Sequence, residues 1–156
     1  MKVEIQNVGK YKALLVNDEL WMMNDENEFL YIEEAVSKCK GGDILIAGYG
    51  LGLLYNRLRN WSGKIDLIEI SKEVVDKVGI DLRTNDRLLI GDFLRYKFDK
   101  KYDAVLVDIW LDWSKETYDN IFIPSMKKAK EILNLDGIIW GWGDHEMQRL
   151  HGNNIE

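Results

Sequence analysis

Cysteine and proline are nearly absent from this chain. Its 156 residues include one cysteine, Cys39, and one proline, Pro124. A single cysteine excludes an intramolecular disulfide and favours a reducing compartment. The N-terminal residues lack the apolar segment of a signal peptide, and no apolar run approaches the roughly 20 residues that span a bilayer. We therefore expect a cytoplasmic protein with no membrane partner.

The chain also lacks an excess of basic residues. It carries 21 Lys and Arg against 27 Asp and Glu, a formal net charge of −6. A broad nucleic-acid surface needs clustered cations to neutralise phosphates. The composition therefore excludes nucleic acid as the expected partner.

The first 23 residues form one unit in the pattern of the sequence. Segments 3–8, 11–17 and 20–23 are β-prone and are separated by turn residues, which predicts an antiparallel β meander. Asp25 and Glu28 have the spacing of a capping box, which predicts a helix from there to about Lys40. Phe29, Ile32 and neighbouring apolar residues form its predicted buried stripe.

From residue 24 to 156 the pattern indicates a second domain of the α/β class. Apolar segments predict strands at residues 44–47, 65–70, 87–90, 104–107 and 138–142. Helical segments are predicted between them, at residues 51–60, 71–78 and 114–133, the last interrupted at Pro124. Such alternation specifies a parallel sheet with right-handed crossovers and helices on both faces.

A glycine loop follows the first strand of this domain. Gly48, Gly50 and Gly52 occupy alternate positions between that strand and a helix, an arrangement that lets a ligand approach the backbone. A dinucleotide fingerprint needs a small residue where Leu53 stands, and a phosphate loop needs a Gly-Lys ending. The spacing favours a nucleoside ligand without a pyrophosphate; a purely structural turn is the alternative.

Three acidic residues follow later strands. Glu69 ends the second strand, where a carboxylate accepts hydrogen bonds from ribose hydroxyls. Asp92, beside Phe93, follows the third strand and suits an adenine amino group and ring. Asp108 ends the fourth. Because ligands bind beyond the carboxyl ends of parallel strands, these groups are expected at one site; plain capping and solvated carboxylates are the alternatives.

At these residues the chain resembles the S-adenosylmethionine-dependent methyltransferases, most closely the spermidine synthase branch, over about residues 20–143. The resemblance implies a Rossmann-like, doubly wound sheet of strand order 3-2-1-4-5. It also implies S-adenosylmethionine, or its decarboxylated form, as cofactor, with no metal. The implied cofactor-binding residues are Gly48, Tyr49, Gly50, Gly52, Glu69, Ile70, Asp92, Phe93 and Asp108.

Three departures from spermidine synthases concern aminopropyl transfer. Leu51 replaces an aspartate of the glycine loop, Ile32 replaces the histidine of a Tyr-His-Glu segment, and Leu111 replaces a second acid, with Asp112 one residue later. We therefore expect a methyltransferase for a small-molecule acceptor. An aminopropyltransferase or other adenosyl-cofactor enzyme, and a non-catalytic binding or assembly module, are the alternatives.

Acid–base chemistry on the acceptor would need a carboxylate near the transferred group. Asp108 is the first candidate for this catalytic role and Asp112 the second, with simple loop ordering as the alternative for each. Four tryptophans near the ends of the fourth and fifth strands predict either an aromatic wall for the acceptor or core packing: Trp110, Trp113, Trp140 and Trp142. The trio Asp144-His145-Glu146 lacks the usual ligand spacing of a metal site.

The residues after the fifth predicted strand are few and polar. Only residues 143–156 remain, whereas the resemblance implies two further strands, so we expect a truncated member. An uncovered fifth strand would be an aggregation-prone edge. The sequence therefore predicts a homodimer, unless the meander or the tail covers that edge.

Overall fold

The computed structural model describes residues 1–61 and 63–152. The N-terminal sheet consists of the antiparallel strands β1 (Val3–Val8), β2 (Tyr11–Val16) and β3 (Glu19–Met23), in that order. Asn17 and Asp18 connect β2 to β3 with positive φ angles of 50° and 66°, which these two residue types tolerate in tight hairpin turns. The predicted antiparallel meander is confirmed.

The larger sheet is parallel and has five strands. They are β4 (Ile44–Ala47), β5 (Ile65–Glu69), β6 (Arg87–Ile90), β7 (Tyr102–Val107) and β8 (Leu133–Gly141). Their spatial order is β6-β5-β4-β7-β8. Counted within this sheet, that is the order 3-2-1-4-5, so the predicted Rossmann-like α/β fold is confirmed.

Helices flank this sheet. They are α1 (Glu26–Lys38), α2 (Leu53–Arg57), α3 (Lys72–Val78), α4 (Lys115–Thr117), α5 (Ile123–Glu131) and α6 (Asp144–His151). Alternate residues of β4 enter two different cores. Ile44 and Ile46 pack in the core that contains α1, α2 and α3, whereas Leu45 and Ala47 pack in the core that contains α5 and α6. Burial on both faces explains why this strand is apolar throughout.

Two helical regions differ from the predictions. A π-helical segment, Tyr118–Phe122, joins α4 to α5, and Pro124 lies in the first turn of α5, where its missing N–H is not needed. The helix α6 was not predicted, because its sequence is polar. Only Met147 of α6 is buried, and its side chain packs into the core that also contains α5.

The start of α1 also differs from a full capping box. Asp25 caps the helix by accepting a hydrogen bond from the Glu28 N–H at 3.0 Å. The Glu28 side chain does not return the bond in the described part of the chain; it is buried. Phe29, predicted to be buried, is 48% exposed, while Ile32 and Ala35 form the buried stripe.

Among residues 1–61 and 63–152, the helices are too short or too polar to cross a lipid bilayer.

Candidate functional site

A cavity of about 320 Å³ lies beyond the carboxyl ends of β4, β5, β6 and β7. This volume is within the range of small-molecule sites, roughly 300–1,000 Å³. Its lining includes Trp21 and Met22 of β3, Gly48 and Gly50 after β4, Glu69 and Ile70, residues 91–94 after β6, and residues 108–111 after β7. We call it the first cavity. It contains most of the residues expected to bind a nucleoside.

The glycine loop is closely packed on both sides. A Cβ on Gly48, where φ is +97°, would overlap the backbone carbonyl oxygen of Asp108. A Cβ on Gly50 would lie 2.9 Å from Met22 Sδ, and that sulfur accepts a hydrogen bond from the Leu51 N–H at 3.3 Å. The N-terminal sheet therefore holds the loop from one side and β7 holds it from the other.

Tyr49 and Gly52 shape the loop without lining the first cavity. The Tyr49 hydroxyl donates to the Gly79 carbonyl at 2.7 Å, and its ring lies against Gly52, where a Cβ would come 2.6 Å from the hydroxyl oxygen. Gly52 adopts a φ of 77° and caps α2. Both residues therefore act on the backbone geometry of the loop.

Glu69 joins the glycine loop to the end of β5. Its Oε1 accepts the Tyr49 N–H at 2.9 Å and its Oε2 accepts the Ser71 N–H at 2.8 Å. Each carboxylate oxygen can accept a second hydrogen bond. The buried side chain is thus fixed in place and retains capacity for two hydroxyl donors from the cavity.

Asp92 and Phe93 supply the part of the lining that follows β6. One carboxylate oxygen of Asp92 accepts the Leu94 N–H at 3.0 Å, and the other lies 3.7 Å from Arg95 Nε. Phe93 is buried, whereas Ile70 across the cavity is 63% exposed. The carboxylate is available for an amino donor beside an apolar surface that suits a planar ring.

Asp108 lies at the end of β7, and its backbone N–H donates to the Ala47 carbonyl at 2.8 Å. Its carboxylate makes no hydrogen bond within residues 1–61 and 63–152. Desolvation raises the pKa of Asp108 well above its ordinary value, and the charges of Glu28 and Glu69 raise it further. It is the carboxylate of the first cavity that is best suited to hold a proton.

Asp112 lies outside the first cavity. Its Oδ1 accepts hydrogen bonds from the Thr117 hydroxyl at 2.6 Å and the Ser114 N–H at 2.9 Å. The Thr117 hydrogen bond is the main reason that the pKa of Asp112 is lowered. These hydrogen bonds hold the Asp112 side chain at the start of α4, and the structure does not bring it together with Asp108.

A second cavity, of about 590 Å³, adjoins the first. The two share Trp21, Met22 and Leu111 in their linings. The second cavity is otherwise lined by β3, α1 and the segments after β7 and β8, including Asp25, Glu28, Tyr31, Glu34, Trp113 and Trp142. It is therefore placed to hold a second small molecule next to whatever occupies the first.

Comparison with known proteins gives matches by structure alone: no family model and no curated protein sequence matches the chain. DhpI, in its complex with SAM and HEP, has a TM-score of 0.58 at 16% identity, covering 85% of this chain and 64% of DhpI. Coclaurine N-methyltransferase, bound to N-methylheliamine and SAH, has a TM-score of 0.54 at 18% identity, and the match covers 72% of this chain and 33% of that enzyme. The N-methyltransferase NodS from Bradyrhizobium japonicum WM9 has a TM-score of 0.54 at 11% identity, and the match covers 70% of this chain and 61% of NodS.

The chain has a Rossmann-like fold, which it shares with these three proteins. It spans less than two thirds of the length of each of these three proteins. Within this fold, the first cavity occupies the edge of the sheet at which ligands of open α/β proteins bind, beyond the carboxyl ends of the strands.

The four tryptophans near the ends of β7 and β8 differ in burial, and Trp110 both packs in a core and borders the first cavity. Trp110 and Trp140 are 2% and 1% exposed and belong to the two cores on either side of the parallel sheet. Trp113 and Trp142 stack with ring centroids 4.7 Å apart and line the second cavity. Core packing is therefore confirmed for Trp110 and Trp140, whereas an aromatic wall for an acceptor stays a prediction for Trp113 and Trp142.

The three consecutive residues Asp144, His145 and Glu146 after β8 do not form one cluster. Glu146 binds Arg149 at 2.6 Å, while Asp144 and His145 approach Glu34 of α1. The side-chain oxygen and nitrogen atoms of Glu34, Asp144 and His145 that could bind a metal lie within 4.8 Å of one another. His145 is largely exposed, with 77% of its side chain accessible.

Sequence reasoning missed the part of the two cavities that comes from β3 and α1. Glu28 was taken for a helix-capping residue, but it is buried in the lining of the second cavity. Burial raises its pKa to about 7, and the charge of Asp25 adds to the shift, while the neighbouring Trp142 indole opposes it. An acidic residue on the apolar side of an amphipathic helix was the available signal.

Proposed function

We propose that the protein is a cytoplasmic S-adenosylmethionine-dependent methyltransferase that acts on a small-molecule acceptor. The observation that carries this proposal is the convergence of Glu69, Asp92 and Asp108 on the first cavity, next to Gly48 and Gly50. The fold supports it, since the similar proteins include N-methyltransferases and complexes with SAM or SAH. The free thiol of Cys39 is compatible with the cytoplasm.

The residues of the first cavity fit an adenosyl group. Glu69 would accept the ribose hydroxyls, because each of its oxygens keeps one free acceptor position. Asp92 would accept from the adenine amino group and Phe93 would pack against the ring. When bound, the cofactor supplies an electrophilic methyl group on its sulfonium.

Asp108 would act on the acceptor. Asp108 belongs to the lining of the first cavity, and its raised pKa makes its carboxylate a stronger base when ionised. It can therefore orient the acceptor's nucleophilic group and, when ionised, accept the proton that this group releases on methylation. The remaining contribution of the protein is alignment and exclusion of water, which account for much of catalysis when the electrophile is already reactive.

The alternative, a spermidine synthase-like aminopropyltransferase, would need acidic recognition near the glycine loop. Leu51 stands where that branch has an aspartate, and its side chain packs with Leu14, Val16 and Val74 between the N-terminal sheet and α3. The loop thus offers an apolar contact to the meander at this position. This favours the methyl donor over the decarboxylated cofactor.

Calorimetric titration tests this choice. We expect S-adenosylmethionine and S-adenosylhomocysteine to bind in the micromolar range, with the decarboxylated cofactor binding equally or more weakly, because Leu51 cannot pair with its ammonium group. A clear preference for the decarboxylated form, or spermidine formation from putrescine, would reverse the assignment. Failure of all three ligands to bind would contradict the proposal as a whole.

We also propose that the protein forms a homodimer through β8. Within the described residues, β8 pairs with β7 on one side and ends the sheet on the other. Ile138 and Ile139 on this edge are only partly buried, and exposed apolar edges favour pairing with a second copy. Light scattering at micromolar concentration should give about twice the chain mass of 18.2 kDa; a value near the chain mass would contradict the dimer.

A further inference from the structure

The second cavity combines aromatic rings with acidic side chains. Trp142 stacks on Trp113, and Tyr31 packs against Trp142 with ring centroids 5.3 Å apart and planes tilted by 52°. The tilted rings form a corner in the wall of the cavity. Asp25, Glu28 and Glu34 lie in the same lining, and the cavity contains no Lys, Arg or His among its described lining residues.

Such a lining is complementary to an organic cation. Aromatic faces attract ammonium groups through the ring quadrupole, and this attraction grows when the cation is shielded from water. A carboxylate in the same cavity adds a direct charge–charge attraction. A neutral acceptor would gain no charge–charge attraction from the acidic groups, and an anionic acceptor would be repelled by them.

Glu28 is the acidic residue best placed to pair with that cation. It is only 9% exposed, and within residues 1–61 and 63–152 the Trp142 indole is the donor that acts on its carboxylate. Glu34 already accepts from Trp140 Nε1 at 3.1 Å, and Asp25 caps α1. The buried Trp142 Nε1–H has no well-formed hydrogen bond to any acceptor in that part of the chain. An ionised Glu28 would satisfy this donor, which couples the charge of Glu28 to the aromatic wall.

We propose that the second cavity binds a small organic amine in its cationic form, with Tyr31 and Trp142 as the aromatic wall and Glu28 as the counter-ion and proton acceptor. The inference rests on the proposed function, since the amine would be the methyl acceptor held beside the first cavity. The shared lining at Trp21, Met22 and Leu111 places the two ligands next to each other.

The proton step follows from the chemistry of the acceptor. An ammonium nitrogen has no free electron pair, so it must lose a proton before it can act as a nucleophile. One N–H bond breaks, the electron pair stays on nitrogen, and the proton goes to the Glu28 carboxylate. Asp108, whose pKa is raised in part by the charge of Glu28, lies on the side of the first cavity and can orient the resulting amine.

Binding of the cation should depend on pH with a defined sign. Burial raises the pKa of Glu28 to about 7, so the carboxyl group is mainly neutral below pH 7 and charged above it. The affinity for a permanent cation should therefore rise with pH through this range. The other titratable groups that face Glu28 are Asp25, Tyr31 and Glu34 from its own helix or cap and Asp108 from the end of β7.

Choline and its neutral isostere 3,3-dimethylbutan-1-ol provide the test, with binding followed by calorimetry and by the indole N–H signal of Trp142. At pH 8 we expect choline to bind at least about tenfold more tightly than the alcohol. At pH 6 we expect choline to bind several-fold more weakly than it does at pH 8. Glu28→Gln should reduce the preference and remove its pH dependence. Glu33→Gln, which changes the same charge on the exposed side of α1, should keep both.

Three results would overturn the inference: equal affinity for the two ligands, an unchanged preference in Glu28→Gln, or no choline binding at all. The pH dependence of the unmodified protein keeps the test informative if Glu28→Gln does not fold. S-adenosylhomocysteine titrated into the same samples separates the two proposals. Its binding without choline binding contradicts only the amine inference, whereas choline binding without it contradicts the methyltransferase proposal.

Discussion

Alanine at position 48 is expected to destabilise the protein by about 3 kcal/mol or more, from left-handed backbone strain together with overpacking. Gly48 has a φ of +97°, and an added Cβ would overlap the carbonyl oxygen of Asp108. That oxygen belongs to backbone, so it cannot rotate away as a side chain would. Urea unfolding followed by circular dichroism measures the loss.

Gly9→Ala is the matched control for this prediction. Gly9 also has a positive φ, +62°, but nothing lies within 4 Å of its added Cβ. Only the backbone strain should therefore remain, about 1–2 kcal/mol. Similar losses of stability in the two variants would show that the approach of Asp108 to the loop is not tight.

The position of the candidate site was predictable because the relevant residues directly follow parallel strands. Gly48, Glu69 and Asp108 each come immediately after or at the end of a buried apolar segment. Parallel strands that are neighbours in a sheet end at the same edge. Their positions in the chain therefore specify their proximity in space, without any knowledge of loop conformation.

The contribution of α1 was not predictable in the same way. Glu28 stands three residues after Asp25, at the spacing of a capping box, and local sequence cannot distinguish that role from a buried one. Its burial depends on side chains that arrive from the far end of the chain, such as Trp113 and Trp142. Packing between distant segments decides which of two locally plausible roles the side chain takes.

Asp112 differs from Glu28 in the opposite sense: it was predicted for the site, and the structure gives it a local hydrogen-bonding role. The sequence made Asp112 the second candidate, after Asp108, for the catalytic carboxylate, but Ser114 and Thr117 follow it closely and both donate hydrogen bonds to it. Local hydrogen bonding of Asp to residues two and five positions ahead competes with a role in the cavity. Similarly, α6 was missed because a helix with one buried apolar residue, Met147, has almost no periodic signal.

Glu69→Ala is expected to weaken the binding of S-adenosylhomocysteine by about 1–3 kcal/mol or more, because it removes the charged group that we propose as acceptor for the ribose hydroxyls. The same change leaves the N–H groups of Tyr49 and Ser71 without their acceptor. The glycine loop and the start of α3 should therefore be less well ordered, and the ligand-free protein should also lose stability. Calorimetry measures the affinity, and urea unfolding without ligand measures the stability.

Two further variants separate the loss of ribose contacts from the loss of loop order. Glu69→Gln keeps one carbonyl acceptor, so it should retain part of the stability while still losing affinity, since its amide nitrogen cannot accept a hydroxyl proton. Asp76→Ala removes an exposed carboxylate of α3 that pairs with Lys72 and should change neither property appreciably. If a folded Glu69→Ala protein binds S-adenosylhomocysteine as tightly as the unmodified chain, Glu69 does not contact the ligand, and the ribose must be held by another group of the first cavity.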